Sequence, residues 1–108
     1  MAHFMLQVAY TPDAWATLVK RPQNRLDLVR SVVERLGGRV EGGWMSFGEY
    51  DAVVIVEMPN NVTAAAFSMA VAAGGALKAA KTTPLLTFDE GIQALRQAAE
   101  AGYQPPGS

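Results

Sequence analysis

Cysteine is absent from all 108 residues, which excludes disulfide staples, thiolate metal sites and thiol nucleophiles together. Histidine occurs once, as His3, so one chain cannot assemble a multi-histidine metal site. Charge is scarce as well: Asp, Glu, Lys and Arg make up 18% of the chain, against roughly 25% in an ordinary soluble domain. The 9 Lys and Arg residues form no stripe able to track phosphates, which argues against a nucleic-acid partner. No long apolar run is present. The most apolar stretch, Ala64 to Ala73, is too short and too rich in alanine to cross a bilayer, so no membrane partner is expected. The start, Met1-Ala2-His3-Phe4-Met5, lacks the basic and then apolar pattern of a signal peptide, and the expected location is the cytoplasm. Nucleophile elbows, phosphate loops and dinucleotide fingerprints are missing too. No cofactor and no resident metal are expected.

What remains is an apolar chain with few charges to cover its surface. Hydrophobic residues reach 50% and the net charge is −1. A chain of 11.5 kDa makes one domain, here residues 1–102 with a flexible tail over 103–108. Such a domain buries roughly 65% of its unfolded surface, enough for a core without staples. The shortage of charge suggests that some apolar surface is covered by a partner.

Phe4, Leu6, Val8 and Tyr10 alternate with His3, Met5, Gln7 and Ala9, which predicts a first strand. Thr11-Pro12 opens a short helix or ordered loop over Asp13 to Lys20, ended by Arg21-Pro22. Asn24 caps a clearer helix whose stripe is Leu28, Val29, Val32, Val33 and Leu36, stopped by Gly37-Gly38. A second strand is expected over Arg39 to Phe47, with a bulge or close approach at Gly42-Gly43. Gly48-Glu49 turns the chain into a third strand, Asp51 to Glu57. Pro59-Asn60-Asn61 precedes a helix over Val62 to Ala73. A fourth strand lies within Leu77 to Leu86, and Pro84 marks it as an edge or bulged strand. Thr87 and Glu90 form a capping box for a last helix through Ala101. The fold class is therefore α+β, a ferredoxin-like β-α-β-β-α-β with a C-terminal helix. Right-handed crossovers give it an antiparallel four-stranded sheet with both main helices on one face.

The third strand carries an anomaly. Val53, Val54, Ile55 and Val56 are consecutive and apolar, whereas a central strand covered on one face should alternate. Both faces need cover, and one chain has helix enough for one. Sheet-to-sheet packing against a second copy, a homodimer or higher homo-oligomer, meets that need. The competing arrangement folds the C-terminal helix over the open face.

Chemistry is thinly distributed. Trp44 to Asp51 is the densest polar and aromatic cluster. Trp44 and Tyr50 could wall a ligand pocket, or Gly48, Tyr50 and Asp51 simply build a turn. His3 reads as a general base beside Met5 and Gln7 or, more plainly, as a solvated residue near the chain start. Arg25 suits a carboxylate ligand or a surface ion pair. Lys81 suits an anion if it faces inward, or edge protection if it does not.

Tyr10-Thr11-Pro12, Pro22, Arg25, Leu36-Gly37-Gly38, Gly48-Glu49-Tyr50-Asp51 and Glu57-Met58-Pro59 with the alanine-rich helix after it form a pattern over residues 4 to 90. In this the chain resembles the GYD family of small bacterial proteins. It departs from the family where Asp13 is followed by Ala14-Trp15 and where Lys81-Thr82-Thr83-Pro84 brings a proline into the last strand. The resemblance implies a dimeric α+β barrel. That superfamily also holds cofactor-free monooxygenases, muconolactone isomerases, haem-degrading enzymes and ligand-sensing domains. A haem role fits poorly with a lone strand histidine. The expected function is small-molecule binding or sensing by an oligomer. The expected pocket lies between sheet and helices, lined by Tyr10, Arg25, Trp44, Tyr50 and Lys81. The alternatives are a cofactor-independent oxygenase or isomerase on an aromatic or enol-like substrate, with His3, Tyr50 or Asp51 as catalytic candidates, and a structural oligomer with no ligand.

Overall fold

In the computed structural model, which describes residues 1–107, the chain runs β1 (Ala2–Tyr10), α1 (Pro12–Lys20), α2 (Arg25–Arg35), β2 (Arg39–Met45), β3 (Ala52–Met58), α3 (Asn61–Ala73), β4 (Leu77–Leu85) and α4 (Phe88–Glu100). The four strands form one antiparallel sheet in the order β2-β3-β1-β4, which is the expected α+β, ferredoxin-like arrangement. The second strand stops at Met45 rather than Phe47, and the third begins at Ala52 rather than Asp51. Phe47 lies outside the sheet, 99% exposed, because the turn needs residues 46–51 to reverse the chain. The bulge falls where the glycine pair suggested, with the β2–β3 register shifting between Val40 and Gly42. Pro84 sits on β4, an edge strand, where its missing N–H costs no ladder bond. Gly102 to Gly107 carry neither helix nor strand; Ser108 of the expected tail lies outside the described residues.

Every helix starts on a side-chain cap. Thr11, Asn24, Asn60 and Thr87 accept hydrogen bonds from the backbone N–H groups of Ala14, Leu26, Thr63 and Glu90. Each satisfies a donor that the first helical turn would otherwise leave unpaired. In α4 the cap is reciprocal: the Thr87 backbone N–H donates to Glu90 Oε1 at 2.9 Å. That contact holds the Glu90 carboxyl below its ordinary value. It also fixes the direction in which α4 leaves β4.

The core lies between one sheet face and α2 with α3. Phe4, Leu6 and Val8 of β1 and Val54, Val56 and Met58 of β3 point into it, joined by Val33, Val40, Ala64 and Phe67. Gly38 is required where α2 turns into β2. A Cβ there would lie 2.5 Å from the Glu57 carbonyl oxygen and 2.5 Å from Met58 Sδ. The competing arrangement for the open face does not occur: α4 has no buried residue and forms no packed interface with the sheet. The radius of gyration is 17.4 Å, against about 13 Å for a compact chain of this length, because α4 stands off the body.

Two substitutions test this packing. Phe67→Ala removes a fully buried ring and is expected to cost about 3–5 kcal/mol. Gly38→Ala is expected to cost about 1–3 kcal/mol through overpacking against backbone. Equilibrium denaturation reads both; a Gly38→Ala chain as stable as the native one contradicts the close approach.

Candidate functional site

Strand alternation divides the sheet sharply. While Phe4, Leu6, Val54 and Val56 face the helices, His3, Met5 and Gln7 of β1 share the opposite face with Val53, Ile55 and Glu57 of β3. The register adds Thr83 and Lys81 of β4 across from Met5 and Gln7, and Trp44 of β2 across from Val53. Among the described residues α2 and α3 pack on the other face, and α4 forms no packed interface with this one. Its centre is apolar and its ends are polar.

The polar end is organised around His3. Its Nδ1 lies 2.6 Å from Glu41 Oε1 and 3.9 Å from Glu57 Oε1, and Arg39 Nη2 donates to Glu57 Oε1 at 2.9 Å. The bulge at Glu41 produces this meeting, since it lets β2 turn one extra side chain toward β1. Partial desolvation pushes the Glu57 carboxyl up. Hydrogen bonds with Glu41 and Arg39, and the charges of Arg39 and His3, outweigh that effect and leave it below its ordinary value. A concavity of about 210 Å³ opens beside the cluster, lined by His3, Glu41, Ile55, Leu85, Leu86 and Thr87.

His3 is thus half-buried and partnered, not the solvated terminal residue that its position suggested. Folding brings ligand atoms of His3, Glu41 and Glu57 within 4.8 Å of one another, a set of donors able to hold a cation. Sequence reasoning missed Glu41, Glu57 and Arg39 because His3 and Glu41 are 38 positions apart. Only the bulge and the strand order join them.

The other candidates separate. Trp44 lies on the open face with its ring over Gly42, where a Cβ would stand 2.8 Å from the indole. Lys81 is exposed on the same face, near the end away from His3. Tyr10, Arg25 and Asp51 gather at that far end of β1. Burial raises the Tyr10 phenol; the Arg25 charge opposes that and the Asp51 charge adds to it. The Tyr10 ring also meets Trp15 edge to face at 5.4 Å, and Arg25 donates to Gln23 Oε1 at 3.1 Å. The Asp51 carboxylate accepts the Tyr10 backbone N–H at 2.9 Å, while Ser46 Oγ donates to the Tyr50 carbonyl at 2.8 Å. Asp51 and the Tyr50 main chain therefore build the turn. None of the five residues of the expected pocket lines the concavity beside His3. A larger groove of about 430 Å³ does lie between α3 and β4, but Phe4, Asn61, Ala64, Ala65, Ser68, Met69, Thr82 and Pro84 line it.

The GYD domain family profile matches residues 4–95. The chain belongs to the GYD family. Among solved structures, this GYD domain is similar to MtbAldR, with a TM-score of 0.57 and 15% identity over 80% of this chain. It spans 53% of that protein's chain, about half. It is also similar to FFRP-DM1, with a TM-score of 0.51 and 14% identity, covering 80% of this chain and 100% of the other. Identities this low show a shared fold. No curated protein matches the GYD chain in sequence.

The Glu57 network has a pH signature. Its folded carboxyl titrates below the ordinary 4.5, so its contribution to stability is complete well above that value. It fades as pH falls through the lower folded value. Glu57→Gln is therefore expected to melt below the native protein at pH 7, with the gap narrowing as pH falls below the ordinary carboxylate value. A gap that persists in acid contradicts the network.

Proposed function

We propose that this GYD protein is a homo-oligomer, built on a sheet-to-sheet dimer, that binds a small molecule at the His3–Glu41 end of the open face. One observation carries the reading: the uncovered face of β1 and β3 has an apolar centre running into a single polar concavity. A second copy laid on Met5, Val53 and Ile55 removes apolar surface from water at roughly 25 cal/mol per Å². It also turns an open concavity into an enclosed one, where hydrogen bonds to a ligand discriminate strongly. The lining suits a compound with an apolar body against Ile55, Leu85 and Leu86. Its polar group would exchange hydrogen bonds with His3 and Glu41. MtbAldR and FFRP-DM1 lend the fold alone to this argument.

A second reading is favoured by the His3–Glu41 contact of 2.6 Å. A carboxylate that holds Nδ1 orients the ring, leaving Nε2 to take a proton from a bound enol-like or aromatic substrate. In that enzyme His3 is the general base. Asp51 is not, since its carboxylate already serves the Tyr10 N–H.

Sedimentation at micromolar concentration is expected to give at least twice the 11.5 kDa chain mass, and Ile55→Glu is expected to return the monomer. A native monomer rejects the oligomer. For the site, a metabolite panel is screened by thermal shift. A ligand present at 100 times its Kd raises stability by about 2.7 kcal/mol, a shift of many degrees for a domain of this size. The shift is expected to disappear in His3→Ala and Glu41→Gln. A compound bound equally well by both variants places the site elsewhere, and turnover lost in His3→Ala with binding retained selects the enzyme.

A further inference from the structure

His3 and Glu57 are direct partners across β1 and β3, and Arg39 and Glu57 across β2 and β3. Residues opposite one another in neighbouring strands show their side chains on the same face. Glu41, the residue that the bulge leaves without a ladder partner, joins them. One ring nitrogen and two carboxylate oxygens, each from a different strand, therefore converge within 4.8 Å. The sheet holds them there.

The spacing suits a single cation. Donors about 2.0–2.2 Å from Zn²⁺ stand roughly 3.3 Å apart at the tetrahedral angle. His3 Nδ1 lies 2.6 Å from Glu41 Oε1 and 3.9 Å from Glu57 Oε1. Reaching the tetrahedral spacing takes a shift of under roughly 1 Å in each pair, one opening and one closing. The shorter contact is a hydrogen bond with one proton between nitrogen and oxygen, and a cation bound at Nδ1 displaces that proton.

Charge points the same way. The Glu41 and Glu57 carboxyls lie within hydrogen-bond reach of each other, and like charges this close resist joint ionisation unless a cation lies with them. Arg39 pairs with Glu57 from the outside, its side chain 67% exposed against 19% for Glu57. It orients that carboxylate, as groups hydrogen-bonded to a metal ligand commonly do. With a neutral ring these four side chains carry a single negative charge, which a divalent cation turns positive. One imidazole with two carboxylates suits a first-row ion such as Zn²⁺, whereas Ca²⁺ and Mg²⁺ prefer oxygen alone. Three protein donors leave a fourth position open, and His3 and Glu41 line the concavity of about 210 Å³ beside them.

We propose that His3, Glu41 and Glu57 form a site for a first-row divalent cation, best matched by Zn²⁺, whose open position takes an anionic oxygen, carboxylate or enolate, of a small molecule in the concavity. This rests on the binding site proposed above for the His3–Glu41 end, and the test separates the two. With Nδ1 on the cation, Nε2 keeps the ring proton, so the loaded site holds a ligand rather than abstracting a proton.

Zinc chloride is titrated calorimetrically into the chelator-treated full chain, free of any tag. One zinc ion per chain is expected, bound about tenfold or more weakly by Glu41→Gln and by His3→Ala. Equal binding by both variants overturns the site. The native chain gives an independent reading, because His3 is the only histidine and its ring nitrogens are unambiguous in a nitrogen-15 spectrum. Zinc is expected to produce the form bound at Nδ1 and protonated at Nε2; ring signals that zinc leaves unmoved overturn the site even where a variant fails to fold. The metabolite panel is then compared with zinc and with chelator, and a carboxylate or enolate is expected to bind about tenfold or more tightly with zinc. A compound bound equally well in chelator, and lost in His3→Ala, overturns the cation and leaves the small-molecule site standing. Zinc binding with no compound bound overturns the small-molecule reading and supports the cation; binding of neither overturns both.

Discussion

A four-stranded sheet has two faces, and this chain has packed helix for one of them. α2 and α3 cover Phe4, Leu6, Val54 and Val56, and their apolar contacts supply most of the folding free energy. Met5, Val53 and Ile55 come from the same two central strands but face the other way. Strand geometry makes this unavoidable, since successive side chains point to opposite faces. An apolar run through β3 therefore builds a second apolar surface as surely as it builds the core. The proposed oligomer and the placement of the candidate site both rest on that surplus.

The polar cluster depends on the same sheet through its irregularity. A regular β2–β3 ladder leaves no extra residue between Val40 and Gly42; the bulge adds Glu41 there and brings it to His3. The neighbouring glycines serve different faces. A Cβ on Gly42 would meet the Trp44 indole, and one on Gly43 would meet Leu26 of α2. Absence of side chains at this pair thus lets an aromatic lie along the open face and a helix approach the covered one. Arg39 completes the arrangement by pairing with Glu57, so the site carries its acidic groups without leaving them unpaired.

Much of the architecture was legible before folding was considered. The caps at Asn24 and Thr87, the stop at Gly37-Gly38, the bulge at Gly42-Gly43 and the edge position of Pro84 are local effects, each set by a few neighbouring residues. The GYD resemblance rests on such blocks, and the family match extends over them. The candidate site was much less legible. Trp44, Tyr50 and Asp51 attract attention because they are dense along the chain, yet Asp51 and the Tyr50 carbonyl spend their hydrogen bonds on the turn. Tyr10 and Arg25 do come near one another, at the opposite end of β1 from His3.

By itself the amino-acid order determined the element sequence, the cap at each helix start and the excess of apolar residues on β3. Those properties arise from backbone preferences and periodicities that span a turn or a strand. Tertiary structure alone decided that His3, Glu41, Glu57 and Arg39 meet, and that α4 leaves its own domain uncovered. The first outcome needs strand order and register to bring distant residues within hydrogen-bond reach. The second combines a local cap at Thr87 and Glu90 with the place of β4 at the sheet edge, and that place is set by strand order rather than by neighbouring residues.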